Sequence, residues 1–232
     1  MKKKLIIAVL LLALICAGLF QVTKLRTFQL FGGLTYQAET KEKVIALTFD
    51  DGPSKNVDQL LPLLDEYKAK ATFFLIGDEI EKHPEEAIKL VEAGHQIGNH
   101  TYSHKRMVLK SPSFIEEEIE KTDELIRSIG YEGEIDFRPP YGKKFVGLPY
   151  YLNKTNRETI MWSLDPETYY TSVDEKINYV LENIQSGSII LLHPMYDQTG
   201  GTLEVVETIL KELSNEGYRF VTVDELQTLG SL

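Results

Sequence analysis

Cysteine is almost missing from this chain: the one residue, Cys16, lies inside an N-terminal apolar run. The chain beyond that run has no thiol and no disulfide, so its stability must come from a hydrophobic core. About 190 residues remain to build one, enough for a single domain. Basic residues are also scarce. The 25 Lys and Arg face 35 Asp and Glu, a formal net charge of −10 that deepens to −13 once Lys2, Lys3 and Lys4 are set aside. That balance makes nucleic acid a poor partner, and a neutral or partly cationic substrate suits it better. No internal repeat or low-complexity tract appears.

Lys2-Lys3-Lys4 followed by an uncharged run from Leu5 to Phe20 matches the basic and apolar regions of an export signal. The apolar run is slightly short for a comfortable membrane span. No small-x-small cleavage site stands out around Cys16-Ala17-Gly18, and Ile15 before Cys16 argues against a lipoprotein signal. Residues 1–22 are therefore expected to be an uncleaved anchor, with the rest of the chain outside the cell; cleavage would instead make it secreted. Residues 23–43 show no clear period and read as a linker or stalk. Residues 44–232 read as one domain, expected to work as a monomer.

Within that domain helix and strand alternate. Val44–Asp50 is an apolar strand; Val57, Leu60, Leu61 and Leu64 recur at helical spacing; Ala71–Leu75 is a second strand. A helix from Pro84 is closed by Gly94, and His95–Gly98 is a short strand. Ser113 with Glu116 predicts a capping box for a long helix through Ile129, closed by Gly130. Phe137 is expected at a strand end. Thr159–Leu164 predicts a strand, Ser172 with Glu175 a second capping box, Ile177–Ile184 a helix, Ser188–Leu192 a buried strand, Thr202–Glu216 a helix and Tyr218–Val223 a last strand. Repeated strand–helix units imply a parallel sheet, open or closed into a barrel, with chemistry at the C-terminal strand ends.

The first strand stops at Asp50-Asp51-Gly52-Pro53. Successive side chains on an extended backbone point opposite ways, so the two acids cannot share a task unless the chain turns between them. One could hold a metal while the other stays free as a base; a capping Asp with a turn is the plainer reading. Asn99-His100-Thr101-Tyr102-Ser103-His104 comes after another strand and sets two imidazoles four positions apart. A helical turn would put both on one face, but the β-leaning Thr101-Tyr102 predicts a loop. With Asp51 the pair makes an Asp-His-His set that leaves coordination positions open, as a catalytic zinc requires. Arg138-Pro139-Pro140-Tyr141 ends a further strand, and Leu191-Leu192-His193-Pro194 ends the later buried one. Singly, these could be a surface ion pair, a loop tyrosine and a histidine at the edge of the core.

Taken in order, the four motifs resemble the polysaccharide deacetylases of carbohydrate esterase family four, the group sharing the NodB homology domain. The resemblance runs from about Val44 to the C-terminus. It implies a distorted (β/α) barrel with fewer than eight complete units, and a metal-dependent hydrolase that removes N-acetyl groups from a polysaccharide such as peptidoglycan or chitin-like oligomers. It implies further that Asp51, His100 and His104 hold Zn2+, with Co2+, Mn2+ or Ni2+ as alternatives, that Asp50 is the base and that His193 is the acid. Arg138 would orient Asp50. Tyr141, Trp162, Asp165 and Leu192 would line the substrate groove, Tyr141 offering its backbone N–H to an oxyanion. His83 and His95 fall within the scaffold and carry no assigned chemistry.

One motif departs from the family. An Asp-x-x-Asp-Trp run is expected after the strand bearing Trp162, and here it reads Asp165-Pro166-Glu167-Thr168-Tyr169. The missing second acid ordinarily supports the catalytic histidine. With Thr168 in its place, His193 is expected to have a lower pKa than in relatives, unless Asp165 or Glu167 fills in. A weaker acid would favour O-acetyl ester cleavage, as on xylan. A catalytically silent, membrane-tethered glycan-binding domain is the reading from a different class.

Overall fold

A computed structural model describes residues 2–230. The elements in chain order begin with α1 (Lys2–Val22), β1 (Leu34–Thr35), β2 (Val44–Asp50), α2 (Val57–Glu66), β3 (Ala71–Leu75), α3 (Gly77–Lys82), α4 (Pro84–Glu92) and β4 (Gln96–Asn99). They continue with α5 (Pro112–Ser128), α6 (Gly147–Lys154), β5 (Thr159–Ile160), α7 (Pro166–Tyr169), α8 (Val173–Asn183), β6 (Ile189–Leu192), α9 (Gly201–Asn215), β7 (Arg219–Phe220) and α10 (Val223–Gly230).

All ladders are parallel. The main sheet runs β4-β3-β2-β6, with β7 pairing the start of β2, while β1 pairs β5. Single parallel bridges, Asn99–Phe137, Phe137–Thr159 and Leu164–Ile190, carry the ring onward where the ladders stop. This is the expected α/β barrel in distorted form, with seven strands among the described residues and no continuous ladder around it.

Alternation along β2 decides what faces where. Ile45, Leu47 and Phe49 point outward into the layer shared with α2 and α9, joined by Phe73, Ile97, Ile190 and Leu192. Val44 and Ala46 point inward with Phe74, Ile160, Trp162 and Leu191. The inward row of β2 continues through Thr48 to Asp50, which places that carboxylate at the mouth of the barrel interior.

Three local expectations are corrected. The long helix is capped by Ser111, whose hydroxyl accepts from the Phe114 N–H at 3.2 Å, and not by Ser113. Pro112 sits at its first position, where a missing N–H costs nothing. The strand expected over Thr159–Leu164 is two residues long. The segment 23–43, expected as a stalk, contributes β1, with Leu34 opposite Thr159 and Thr35 opposite Ile160. Ser172 caps α8 as expected, accepting from the Glu175 N–H.

At the end of the barrel away from the strand termini, Gln96 donates to the carboxyls of Asp136 and Asp224, which are hydrogen-bonded to one another. Burial first, then the neighbouring Asp224 charge, pushes the Asp136 carboxyl up to about 8. Between the ordinary carboxylate range and that value the folded chain holds a proton that the unfolded chain has released, so stability falls as pH rises from about 4 to about 8. Asp136→Asn removes that penalty while keeping a group able to donate to Asp224. The variant is expected to melt at a higher temperature than the parent at pH 8 and at about the same temperature at pH 4. Equal melting curves at pH 8 would show that the two carboxyls do not share a proton.

Candidate active site

Asp50 ends β2 as a nearly buried carboxylate, 3% exposed. Arg138, fully buried, donates to Asp50 Oδ1 at 2.6 Å and to Thr48 Oγ1 at 2.8 Å. Its other guanidinium N–H groups donate to the carbonyls of Ile160 and Met161 at 3.1 and 3.0 Å, and the group lies 4.0 Å from the Phe74 ring centre. Burial alone would raise the Asp50 pKa, but the charges of Arg138, His100 and His193 outweigh it and hold the carboxyl below the usual range. Asp50 is therefore ionised at neutral pH.

The chain then turns sharply. Asp51 (φ 63°) and Gly52 (φ 75°) are both left-handed, which breaks the strand alternation and swings the Asp51 carboxylate to the same side as Asp50. A Cβ at position 52 would lie 2.6 Å from Met195 Cγ, so glycine is needed there for space as well as for φ. Two further non-glycine residues of the motifs, Thr101 (φ 68°) and His104 (φ 52°), shape the loop after β4. Each left-handed side-chain residue costs on the order of 1 kcal/mol, held here by local hydrogen bonds. Asn99 Oδ1 accepts from the Thr101 N–H, Thr101 Oγ1 accepts from the His104 N–H, and Glu118 on α5 takes both the N–H and the hydroxyl of Ser103. The expected loop is found, and Asn99 and Glu118 are supports that the motif spacing did not reveal.

That loop brings both imidazoles to Asp51. His100 Nδ1 lies 2.7 Å from the Arg138 carbonyl, which can only accept, so Nδ1 carries a proton and Nε2 faces inward. His100 Nε2 is 3.8 Å and His104 Nε2 3.3 Å from Asp51 Oδ1. Burial, with the nearby His100, keeps the His104 pKa below its ordinary value, so its ring is neutral. Asp51 Oδ1 is buried and has no hydrogen-bond partner among the described residues. One ligand atom from each of the three side chains falls within a 4.8 Å cluster. An orphaned carboxylate oxygen beside two imidazoles fits a divalent cation by donor chemistry and by burial. His100 is further oriented as metal-binding histidines are, through its second nitrogen.

His193 comes after β6 on the opposite wall. Glu167, from the short helix α7, accepts from both the His193 N–H and His193 Nδ1, each at 2.8 Å. Burial lowers the His193 pKa, but the hydrogen bond to Glu167 and the charges of Asp50, Glu167 and Asp51 more than reverse this and push it up to about 9. The expectation of a poorly supported histidine is thereby corrected. Thr168 does not face His193; its N–H and hydroxyl bind Asp165, which caps α7. The supporting acid stands one residue earlier than the motif spacing indicated.

Between the two walls lies a cavity of about 320 Å³, lined by Asp50, Asp51, His100, His104, Tyr141, Gly142, Trp162, Asp165, Thr168, Leu191 and His193. Tyr141, left-handed (φ 59°) and exposed, stacks 4.7 Å from the His104 ring. Trp162 packs so closely on Gly142 that a Cβ there would lie 2.7 Å from the ring. Every motif residue expected in the groove lines it except Leu192, which points into the outer layer; Leu191, one residue earlier and inward-facing, lines the pocket in its place. His95 sits in the scaffold as expected, its Nδ1 accepting from the Ala71 N–H.

A sequence profile of the polysaccharide deacetylase family matches residues 37–160. A peptidoglycan-N-acetylglucosamine deacetylase of Bacillus cereus is 36% identical over 199 residues, covering 84% of this chain and 93% of that protein. The crystal structure of the Bc1960 peptidoglycan N-acetylglucosamine deacetylase superposes with a TM-score of 0.80 at 31% identity, over 85% of this chain and 94% of that one. BA3943 of Bacillus anthracis, described as a pseudoenzyme of carbohydrate esterase family four, superposes with a TM-score of 0.77 at 26% identity, over 86% and 70% of the two chains. The fold, the order of its motifs and these likenesses agree: the chain belongs to the polysaccharide deacetylases of carbohydrate esterase family four, which carry the NodB homology domain.

Proposed function

We propose that this protein is a metal-dependent deacetylase that removes N-acetyl groups from an N-acetylglucosamine-type polysaccharide, with peptidoglycan as the favoured substrate and chitin-like oligomers next. The observation that carries the reading is a division of labour inside one cavity. Asp50, ionised and gripped by Arg138, stands beside but apart from the Asp51–His100–His104 cluster, and a proton-bearing His193 backed by Glu167 faces them.

Asp51, His100 and His104 would hold the metal, Zn2+ or one of Co2+, Mn2+ and Ni2+, which supplies Lewis acidity to the attacking water and the acetyl carbonyl. Asp50 takes the proton from that water, a task for which Arg138 keeps it charged and oriented. Tyr141, Trp162 and Leu191 wall the pocket, and the Tyr141 N–H would help hold the oxyanion. His193 gives its proton to the departing nitrogen, and Glu167 keeps it protonated up to about pH 9. An amine leaves poorly unless protonated, so a supported acid favours amide over ester cleavage. A silent glycan-binding role is disfavoured by the presence of base, acid and ligand set together, although BA3943 shows that the fold has silent members.

Acetate release from peptidoglycan, chitin oligomers and acetylated xylan, measured side by side, tests the substrate. Faster release from xylan esters than from either N-acetylated glycan would overturn the amide reading. Chelation is expected to abolish release, and Zn2+, Co2+, Mn2+ or Ni2+ to restore it to differing degrees. Restoration by Mg2+ alone would contradict the Asp-His-His site.

The helix α1, 21 residues, is long and apolar enough to cross a membrane by length and composition. We place it there as a single-pass anchor with the domain outside, because three lysines open it and an acidic domain comes after. Retention in the membrane fraction after alkaline extraction tests this; a wholly cytosolic protein would rule out a cell-wall substrate.

A further inference from the structure

The uncharged part of α1, Leu5–Val22, rises about 27 Å, slightly less than a bilayer core of about 30 Å, so a spanning α1 has no length to spare. Its end at Val22 then lies at the outer boundary, and the chain beyond it has no slack. Thr23 is buried, and its carbonyl accepts from the Lys144 N–H at 3.0 Å. Lys144, also buried, donates from Nζ to the Leu25 carbonyl at 2.6 Å. The ammonium groups of Lys24 and Lys143 flank the Phe20 ring at 4.4 and 6.0 Å. The chain leaving the membrane is thus clamped to the loop that carries Tyr141, two to three residues away.

The surface continuous with this clamp is apolar where a soluble domain would be polar. Phe28, Leu30, Phe31, Val146 and Tyr150 are all exposed, between 40% and 57%, and Leu109 is 85% exposed. The rings of Phe31 and Tyr150 meet edge to face at 5.7 Å. The loop bearing Leu109 borders the same face, since the Lys110 carbonyl lies 3.9 Å from a Cβ built at Gly147.

The charge pattern points the same way. The chain has 35 acids, yet none falls in residues 20–38, 99–115 or 137–157, the three segments that build this face. Lys24, Lys105, Lys110 and Lys143 lie in those segments. An aromatic and aliphatic surface edged with lysine and poor in carboxylates, approached only by Glu120 at Tyr151 and by Glu158 at Gly33, has on an otherwise acidic domain the composition of a membrane–water interface facing anionic headgroups.

We infer that this face, with Phe28, Phe31, Leu109, Val146 and Tyr150 at its centre, rests on the outer leaflet of an anionic membrane and holds the catalytic pocket at the bilayer surface. The pocket is close enough. The Arg26 guanidinium lies 5.9 Å from the ring centre of Trp162, a wall of the cavity, and four residues from Val22 span at most about 14 Å. Resting on the deacetylase reading, the consequence is that the substrate is glycan lying against the membrane, not the outer layers of a wall.

Trp162, the single tryptophan, is a built-in reporter. The full chain is reconstituted into phosphatidylcholine–phosphatidylglycerol vesicles whose headgroups carry a nitroxide quencher, and its emission is compared with that in unlabelled vesicles. A loss of emission is expected. It should persist when a flexible Gly/Ser linker of about 20 residues is inserted after Val22, because the linker keeps the face at high effective concentration near the leaflet. It should vanish when Phe28→Ser and Phe31→Ser are added to the linker variant. Emission recovered by the linker alone, in protein still bound to vesicles, would overturn the leaflet contact. Protein released by alkaline extraction would instead refute the anchor, and the contact with it. Absence of acetate release when N-acetylated glycan strands are added to the same metal-loaded vesicles would refute the deacetylase reading and leave the contact standing.

Discussion

Asp50→Asn is expected to retain a full complement of metal and to lose turnover by roughly 10²–10⁴-fold, the range for removal of a general base. Asp51→Asn and His104→Ala are expected to lose metal and activity together. The two aspartates are neighbours in sequence but differ in every physical respect that matters. Asp50 spends one oxygen on Arg138 and lies 3.6 Å from His100 Nε2, whereas Asp51 Oδ1 has no partner except the two imidazoles. Asparagine is the right replacement at position 50 because its amide oxygen still accepts from Arg138. Either kind of change removes the counter-charge of a buried guanidinium, typically a loss of about 3–5 kcal/mol, but asparagine keeps the hydrogen bond, and the melting curve separates the loss of stability from the loss of catalysis. Metal content measured on the purified chain, with a melting curve for each variant, separates the outcomes. Stoichiometric metal in the Asp51 variant, or an empty Asp50 variant, would reverse the assignment of ligand and base.

How much of this was legible in the sequence depended on whether the signal was local. The strand β2 and its terminal acids were legible because six apolar or β-branched positions stop at two acids and a Gly-Pro turn, and such a run has few other structures open to it. The loop between His100 and His104 was legible as a loop, but not its left-handed residues, since nothing in Thr101 announces φ 68°. Leu192 and Leu191 differ by one position on a strand buried on both faces. When both faces are apolar the sequence holds no mark of which residue looks inward, and the groove assignment fell on the wrong one.

Non-local pairing hid the rest. The segment 23–43 looked like a stalk because β1 is only two residues long and its partner, β5, stands more than a hundred residues later. The Ser111 cap was missed because Ser113 with Glu116 fits the capping-box spacing while Ser111 has Phe114 in the third place, and only Pro112 at the first helical position favours Ser111. Glu167 was one of three open choices. A four-residue helix capped by Asp165 turns it toward the end of β6, and that turn is fixed by Thr168 binding Asp165. The residue whose substitution pointed to a weakened acid is the one that positions its replacement.

Glu167→Gln is therefore the substitution expected to damage the acid. In the parent chain the His193 pKa stands near 9: burial pulls it down, and the Glu167 hydrogen bond is the largest of the influences that raise it. Removing the carboxylate charge lets burial prevail, so the alkaline limb of kcat/KM for an N-acetylated oligosaccharide should move to lower pH. Each pH unit of movement is a tenfold loss on that limb, so activity at pH 8 should fall by about tenfold or more while activity at pH 6 falls less. Ester cleavage, whose leaving group needs less protonation, should suffer less at both. Stability carries the same signature with its own sign. A histidine whose folded pKa is raised stabilises the fold fully below its ordinary value of about 6.5 and loses that contribution as pH passes about 9, so the melting difference between parent and Glu167→Gln should be largest in acid and shrink toward pH 9. Thr168→Asp, by contrast, should leave the alkaline limb in place, because Glu167 already occupies His193 Nδ1 at 2.8 Å. If Glu167→Gln left that limb unmoved, His193 would not be the group that protonates the leaving nitrogen.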